Sequence, residues 1–111
     1  MARSSLPHHS LDVWQPAKEL VRVVNSIRIG DTRARNQALD AAASCALNIS
    51  EAAGRTHERD KARVLGIAHG EVVECIGAVE VAEAMGTCSA EDVARVIELG
   101  GRVSAMLSRL A

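Results

Sequence analysis

The sequence contains no phenylalanine and no tyrosine, and Trp14 is its single aromatic residue. A core built from these 111 residues must therefore consist mainly of leucine, isoleucine, valine, methionine and alanine. Because 48% of the residues are hydrophobic, the chain can form one domain without disulfide or metal staples. Small side chains bury little apolar surface each, which favours recruiting further helices from other copies of the chain.

Long charged runs, paired cysteine motifs and long apolar segments are also missing. Thirteen basic and fourteen acidic residues give a net charge of −1, so bulk charge offers no attraction to nucleic acid. Cys45, Cys75 and Cys88 have no C-x-x-C spacing, which argues against a disulfide framework or a zinc site. No segment has the apolar core of a signal peptide or the roughly 18 apolar residues of a membrane span. We therefore expect a cytoplasmic protein without membrane contact.

Apolar residues that recur at three- and four-residue steps predict four helices. A flexible leader is expected over residues 1–10, followed by a helical domain over residues 11–111. Glycines are expected to end the first three helices: Gly30, Gly54 in a left-handed conformation, and Gly86. The expected caps are Asp12 with Gln15, Asp31 or Thr32, Thr56, and Ser89 with Asp92. Four helices joined by short turns predict an all-α, antiparallel up-and-down four-helix bundle.

An unusually wide apolar arc covers the second helix, residues 32–53. At 100° per residue, only a narrow polar sector remains, and it holds Gln37, Asp40, Ser44, Asn48 and Glu51. An ordinary bundle helix needs an apolar stripe only a little wider than about 100°. We therefore expect this helix to be covered from several directions, by its own bundle and by copies of the chain.

The third helix carries Gly66, Gly70 and Gly77 within about 40° of one another, nearly opposite its main apolar face. A glycine inside a helix costs roughly 1 kcal/mol relative to alanine, so three on one stripe need a reason. The stripe predicts the close approach of another helix, and a tolerated solvent face is the alternative. The candidate oligomer-interface residues are Ala38, Ala41, Cys45, Ala52, Gly66, Gly70 and Gly77.

Few residues suggest chemistry. Neither His57 nor His69 follows a glutamate by three residues, so the Glu-x-x-His pairs of di-iron bundles are absent. Metal binding through His8 and His9 is an alternative to an ordinary polar tail. Arg63 and His69 have the R-x5-H spacing that resembles the signature of the HEPN ribonucleases. Because these two residues lie about 120° apart on a helix, they would need a partner subunit to converge.

Each charged cluster in the sequence has a structural explanation as well as a functional one. Arg55, Arg59, Lys61 and Arg63 are candidate RNA contacts, but Glu58 and Asp60 interrupt them, which favours a solvated helix surface. Glu71 and Glu74 on the flank of the third helix are a candidate acid and base. We expect them instead to be structural acids with partners on neighbouring helices, because a half-buried charge needs one.

Three motifs in order resemble one known family. The segment from Leu11 to Leu20 is similar to its opening L-x-V-W/Y-Q-x-A-x-x-L, and Gln37 precedes Asn48 by eleven residues, as in its Q-L-R-R-A-A-x-S-x-x-x-N-I-A-E-G. The third helix adds Arg63, Leu65, Ile67, Ala68, Gly70 and Glu74 of R-F-L-x-I-A-x-G-S-x-x-E. The chain thus resembles the four-helix-bundle proteins encoded within intervening sequences of bacterial 23S ribosomal RNA genes. Its polar family-motif positions are Gln37, Asn48, Glu51 and Glu74.

The resemblance implies a left-handed antiparallel bundle assembled as a ring-like homopentamer, with no known enzymatic activity and no cofactor. Related proteins serve as accessory factors of diversity-generating retroelements, whose basic surfaces contact RNA and a reverse transcriptase. The family's paired arginines correspond to Leu39 and Asp40 here. We therefore predict a nonenzymatic homo-oligomeric assembly or adaptor protein whose main partner is itself. An RNA-binding accessory protein is the first alternative, and a HEPN-like ribonuclease is the second.

Overall fold

The computed structural model describes residues 5–110, and within them four helices pack as a bundle. The elements are a short 3-10 helix at Pro7–Ser10, then α1 (Trp14–Ser26), α2 (Thr32–Ala53), α3 (Glu58–Ala84) and α4 (Ala90–Leu110). Each helix packs against its neighbours in sequence, and α4 returns to pack against α1. The predicted all-α, up-and-down four-helix bundle is confirmed.

The core is aliphatic and built partly from small residues. Leu20, Ile49 and Leu107 are its largest fully buried side chains, and valines, alanines and cysteines fill the space between them. Within residues 5–110, no polar or charged residue is fully buried. The core therefore contains no charge that would need a partner inside one chain.

The side of α2 that was expected at a subunit interface lies inside the bundle. Ala38, Ala41, Cys45 and Ala52 are each at most 2% exposed within the single chain. Burial raises the pKa of the Cys45 thiol to about 12, and the neighbouring Cys75 of α3 adds to the rise. These four positions therefore present no surface to a second copy, because their small side chains already pack within the chain.

The two loops at one end of the bundle are tied together. The Gly30 backbone N–H between α1 and α2 donates a 2.8 Å hydrogen bond to the carbonyl oxygen of Thr87, which lies between α3 and α4. Gly86 has a φ of 76°, the left-handed conformation in which glycine ends a helix at little cost. The end of α3 near Gly86 follows the sequence prediction.

Two of the four predicted caps are confirmed. The Asp31 carboxylate accepts a 2.9 Å hydrogen bond from the Ala34 backbone N–H, and the Ser89 hydroxyl accepts one of 3.2 Å from the Asp92 backbone N–H. Each side chain satisfies an N–H group that the first turn of its helix cannot pair.

Four other predictions about helix ends are wrong. Gly30 does not end α1, which closes at Ser26 with the Ile27 N–H bonded to the Val23 carbonyl. In the other three cases, backbone turns replace the expected residues. Val13 rather than Asp12 precedes α1, and the Trp14 N–H bonds to the Leu11 carbonyl instead of a side chain. Gly54 has a right-handed φ of −84°, since its N–H bonds to the Glu51 carbonyl and tightens the last turn. The residue before α3 is His57 instead of Thr56, and it makes no side-chain cap.

The N-terminal segment is more regular than the expected flexible leader. Residues 1–4 lie outside the described part of the chain, but Pro7–Ser10 forms a 3-10 helix. The Leu6 backbone N–H donates a 2.9 Å hydrogen bond to His9 Nδ1, and the His8 ring lies edge-on to Trp14 with 4.6 Å between ring centroids. The segment predicted as a flexible leader thus contains local structure from Pro7 onward, where His8 packs on the start of α1.

The contact between α3 and α4 predicts opposite effects for two adjacent glycines. A Cβ at Gly100 would lie 3.0 Å from both Cγ1 and Cδ1 of Ile76, whereas a Cβ at Gly101 would meet nothing within 4 Å. We expect Gly100→Ala to lower the free energy of unfolding by about 1 kcal/mol, because overpacking outweighs the gain in helix propensity. We expect Gly101→Ala to raise it by up to about 1 kcal/mol. Urea denaturation measures both, and equal effects would contradict the close contact.

Candidate functional site

The outer side of α3 carries a stripe of small and apolar residues without charge. We call this set the α3 stripe, and it comprises Gly66, Gly70, Val73, Gly77 and Val81. A Cβ built on any of its three glycines meets no atom within 4 Å. Val73 and Val81 are 51% and 55% exposed. The predicted glycine stripe therefore faces open space in the single chain.

The outer side of α2 carries the most exposed large hydrophobic residue of the described chain, Leu47, which is 67% exposed. Residues at three- and four-residue steps share its face, and we call this set the α2 outer face: Arg33, Asn36, Asp40, Ala43, Leu47 and Glu51. Ala43 is half-buried, and the other five are exposed. The wide apolar arc predicted for α2 is thus covered by its own bundle on one side and uncovered at Leu47.

A groove of about 660 Å³ separates the first turns of α2 from the last turns of α3. Gln37 and Glu74, two of the family-motif positions, lie in its lining together with Gly77 and Val81. Both Gln37 and Glu74 are exposed. The groove borders the α3 stripe, so these motif residues lie next to the small-residue surface.

The remaining family-motif residues make local contacts on α2. Asn48 Nδ2 donates a 2.9 Å hydrogen bond to the Ser44 carbonyl oxygen one turn earlier. The Glu51 carboxylate pairs with Arg55 at 2.5 Å. Both contacts lie within α2 or join it to the residues just after it, and neither covers the outer surface of α2.

The acidic pair on α3 does not have the partners that the sequence suggested. Neither Glu71 nor Glu74 forms a hydrogen bond or an ion pair with another side chain in residues 5–110. Glu71 is half-buried and Glu74 is exposed, so solvent rather than a neighbouring helix compensates their charge. The expectation of partnered structural acids is therefore wrong for the single chain.

The basic cluster after α2 is largely neutralised by its own acidic residues. Asp60 lies at its centre and accepts from Arg63 at 3.0 Å and from Arg55 at 3.1 Å. Lys61 lies 3.9 Å from Glu58. Arg59 alone of the four candidate RNA contacts has no ion pair within the described chain. The hydrogen bond from Arg63 and the charge of Arg55 hold the pKa of Asp60 below its usual value.

Arg63 and His69 do not come together. Arg63 is held by Asp60 one turn earlier on α3, whereas His69 Nε2 shares a 2.9 Å hydrogen bond with the Ser104 hydroxyl on α4. Both His69 and Ser104 are half-buried, and their bond joins two neighbouring helices. The sequence spacing of Arg63 and His69 therefore does not produce a shared site within one chain.

Residues 5–110 contain neither a metal-binding cluster nor a membrane-spanning stretch. In this part of the chain, no three His, Cys, Asp or Glu side chains form a cluster that could hold a metal ion. None of the four helices contains a stretch that is long and apolar enough to cross a bilayer.

Comparison with known proteins gives one result. The family model of the 23S rRNA-intervening sequence protein matches residues 9–109. The chain belongs to this family. No match is found among curated proteins. The matched range includes α1, α2, α3 and all of α4 except its last residue, so the resemblance that was seen in three separate motifs extends over nearly the whole chain.

Two of the four polar family-motif positions lie at one surface of the bundle. Gln37, Glu74 and Gly70 all belong to the motifs that carried the resemblance, and they lie on or beside the α3 stripe and its groove. Sequence reasoning missed Leu47, because its position extends the apolar arc and nothing in the pattern shows where α1 and α3 stop covering α2. It also missed the contact of His69 with Ser104, which joins residues 35 positions apart.

The ion pairs of Asp60 predict an acid-dependent loss of stability. Because the pKa of Asp60 is lowered in the folded chain, its contribution is present at neutral pH and is lost as the pH falls below about 4. We expect Asp60→Asn to lower the melting temperature slightly at pH 7 and to lose that difference near pH 3. Asp40→Asn, which removes an exposed carboxylate without an ion pair in residues 5–110, is the matched control. A deficit of Asp60→Asn that persists unchanged at pH 3 would contradict this role.

Proposed function

We propose that this member of the 23S rRNA-intervening sequence protein family is a nonenzymatic homo-oligomeric module that acts by presenting several copies of its surface to a partner. The observation that carries the proposal is the α3 stripe, with three glycines under open space and two exposed valines. A monomer gains nothing from this arrangement.

The energetic argument starts from helix propensity. Each glycine inside α3 costs roughly 1 kcal/mol relative to alanine, and nothing within the chain occupies the space that a methyl group would fill. A second helix that packs on bare backbone uses that space, because glycine lets two backbones approach closely. Burying exposed valines at the same contact adds apolar stabilisation. Self-association therefore supplies the reason for the stripe that the isolated bundle lacks.

Assembly also gives the protein a means of action. Linked copies of one weakly binding surface hold a partner through a high effective concentration, without any catalytic group. The resemblance implies a ring of five copies, and we adopt that number as the expected stoichiometry. An adaptor of this kind needs neither a cofactor nor a metal ion.

The two alternatives receive less support from the described residues. Because Asp60 and Glu58 pair with three of the four candidate RNA contacts, little unpaired positive charge remains there for phosphate. The ribonuclease alternative needs Arg63 and His69 at one site, but each side chain has a different partner. Salt-sensitive binding of ribosomal RNA by the assembled protein would restore the first alternative.

Substituting the stripe predicts a loss of assembly without a loss of fold. We expect the wild-type chain to form an oligomer at micromolar concentration in light scattering, with a mass near five times 11.7 kDa. Gly70→Arg places a long charged side chain on the stripe and should give monomers. Its matched control is Gly101→Arg, since Gly101 is also an exposed helical glycine with nothing within 4 Å of a built Cβ.

Circular dichroism should show equal helix content for wild type and both variants. A wild-type monomer would overturn the proposal. An oligomer that tolerates Gly70→Arg as well as Gly101→Arg would remove the α3 stripe from the interface.

A further inference from the structure

Two adjacent histidines shape the N-terminal 3-10 helix and join it to the bundle. We call residues 6–10 the N-terminal strap. His9 Nδ1 accepts a 2.9 Å hydrogen bond from the Leu6 backbone N–H. The His8 ring is half-buried and lies edge-on to Trp14, with 4.6 Å between ring centroids. Both contacts are therefore made by histidine, the side chain whose charge changes between about pH 5 and 8.

These contacts require neutral histidines. A protonated imidazole carries a proton on both ring nitrogens, so His9 could no longer accept the Leu6 N–H. The His8 and His9 ring centroids are 4.3 Å apart, and two charged rings at this distance repel each other. Lys18 Nζ lies 5.4 Å from the centroid of the Trp14 ring, so a cation already occupies the ring that His8 contacts.

The helices around the strap offer little compensating negative charge. The 3-10 helix packs against α1 and α2. The only acidic residue in the last turns of α2 is Glu51, and it is paired with Arg55. Asp12, just before α1, lines a depression together with Arg109 of α4, so this carboxylate shares its surroundings with a cation. Protonation of the two histidines would therefore add positive charge beside Lys18.

The effect on His8 has a defined sign. Partial burial lowers the pKa of His8 below its usual value, and the charges of His9 and Lys18 lower it further. A released strap therefore binds more protons than a docked one as the pH falls below about 6.5, the ordinary value for histidine. The docked strap is favoured above that pH and is destabilised below it.

We propose that the N-terminal strap is a pH-sensitive element, docked on Trp14 at neutral pH and released from the start of α1 when His8 and His9 are protonated. Release uncovers Trp14 and leaves the four helices in place, because the 3-10 helix contributes no buried residue to the core. The inference does not depend on the self-association proposed above, since it concerns contacts within one chain.

The test uses Trp14 as an internal reporter. Because the chain has one tryptophan and no tyrosine, its intrinsic fluorescence reports the surroundings of Trp14 alone. We expect the emission of the full chain to shift to longer wavelength between about pH 7.5 and 5. The heteronuclear NOE values of the His8, His9 and Ser10 amides should fall over the same range, while the helix signal in circular dichroism stays constant.

Substitutions assign the transition to the strap. The double variant His8→Gln with His9→Gln should lack the transition, because glutamine does not titrate. His57→Gln removes an exposed histidine at the start of α3 and should keep the transition unchanged.

A second pair of variants tests the charge that opposes His8. Lys18→Met should raise the midpoint by up to about half a pH unit, because it removes a cation that disfavours protonated His8. Arg22→Met is its control, since Arg22 lies one turn further along α1 and pairs with Glu19.

Each of four outcomes would overturn the inference. The first is emission and NOE values that stay constant from about pH 8 to 5. The second is a transition that persists in the double histidine variant. The third is an emission change without a fall in the NOE values, which would show quenching by a strap that remains docked. The fourth is a parallel loss of helix signal, which would assign the transition to the whole bundle.

Discussion

The close packing of α2 against α3 is the contact on which the rest of the bundle depends. Several alanines and Cys45 on α2 are completely buried, as is Cys75 on α3, and the contact between these two helices is the most extensive one in the bundle. Without aromatic side chains to fill a wider core, the bundle gains apolar contact by bringing backbones together. This packing buries the small residues on the inward side of both helices.

The packing of α2 on α3 also determines which residues remain on the outer surface of the bundle. Four of the seven residues that the sequence placed at a subunit interface are buried within the chain, so the groups left for the self-association proposed above are Leu47, the exposed valines and the three bare glycines. None of these groups stabilises the single bundle, and the glycines weaken it through helix propensity. A surface of this composition makes physical sense when another backbone lies on it.

Much of the fold could be predicted from the sequence because helix periodicity is a local property. The four helices, the Asp31 and Ser89 caps and the left-handed Gly86 all follow from residues within a few positions of one another. The wrong predictions concern features that contacts between different helices determine. An apolar arc does not reveal which part a neighbouring helix covers, so Ala38, which was expected at an interface, is buried inside the bundle, whereas Leu47 on the same arc is exposed. Likewise, His69 meets Ser104 only because α3 packs on α4.

Electrostatics contributes little to the stability of this bundle. The ion pairs are exposed and mostly join residues one turn apart, and such pairs contribute little to the free energy of folding. Apolar packing of small residues therefore supplies most of the stability of the bundle. The self-association proposed above would extend the same kind of packing to the outer side of α3, where three glycines leave the helix backbone bare.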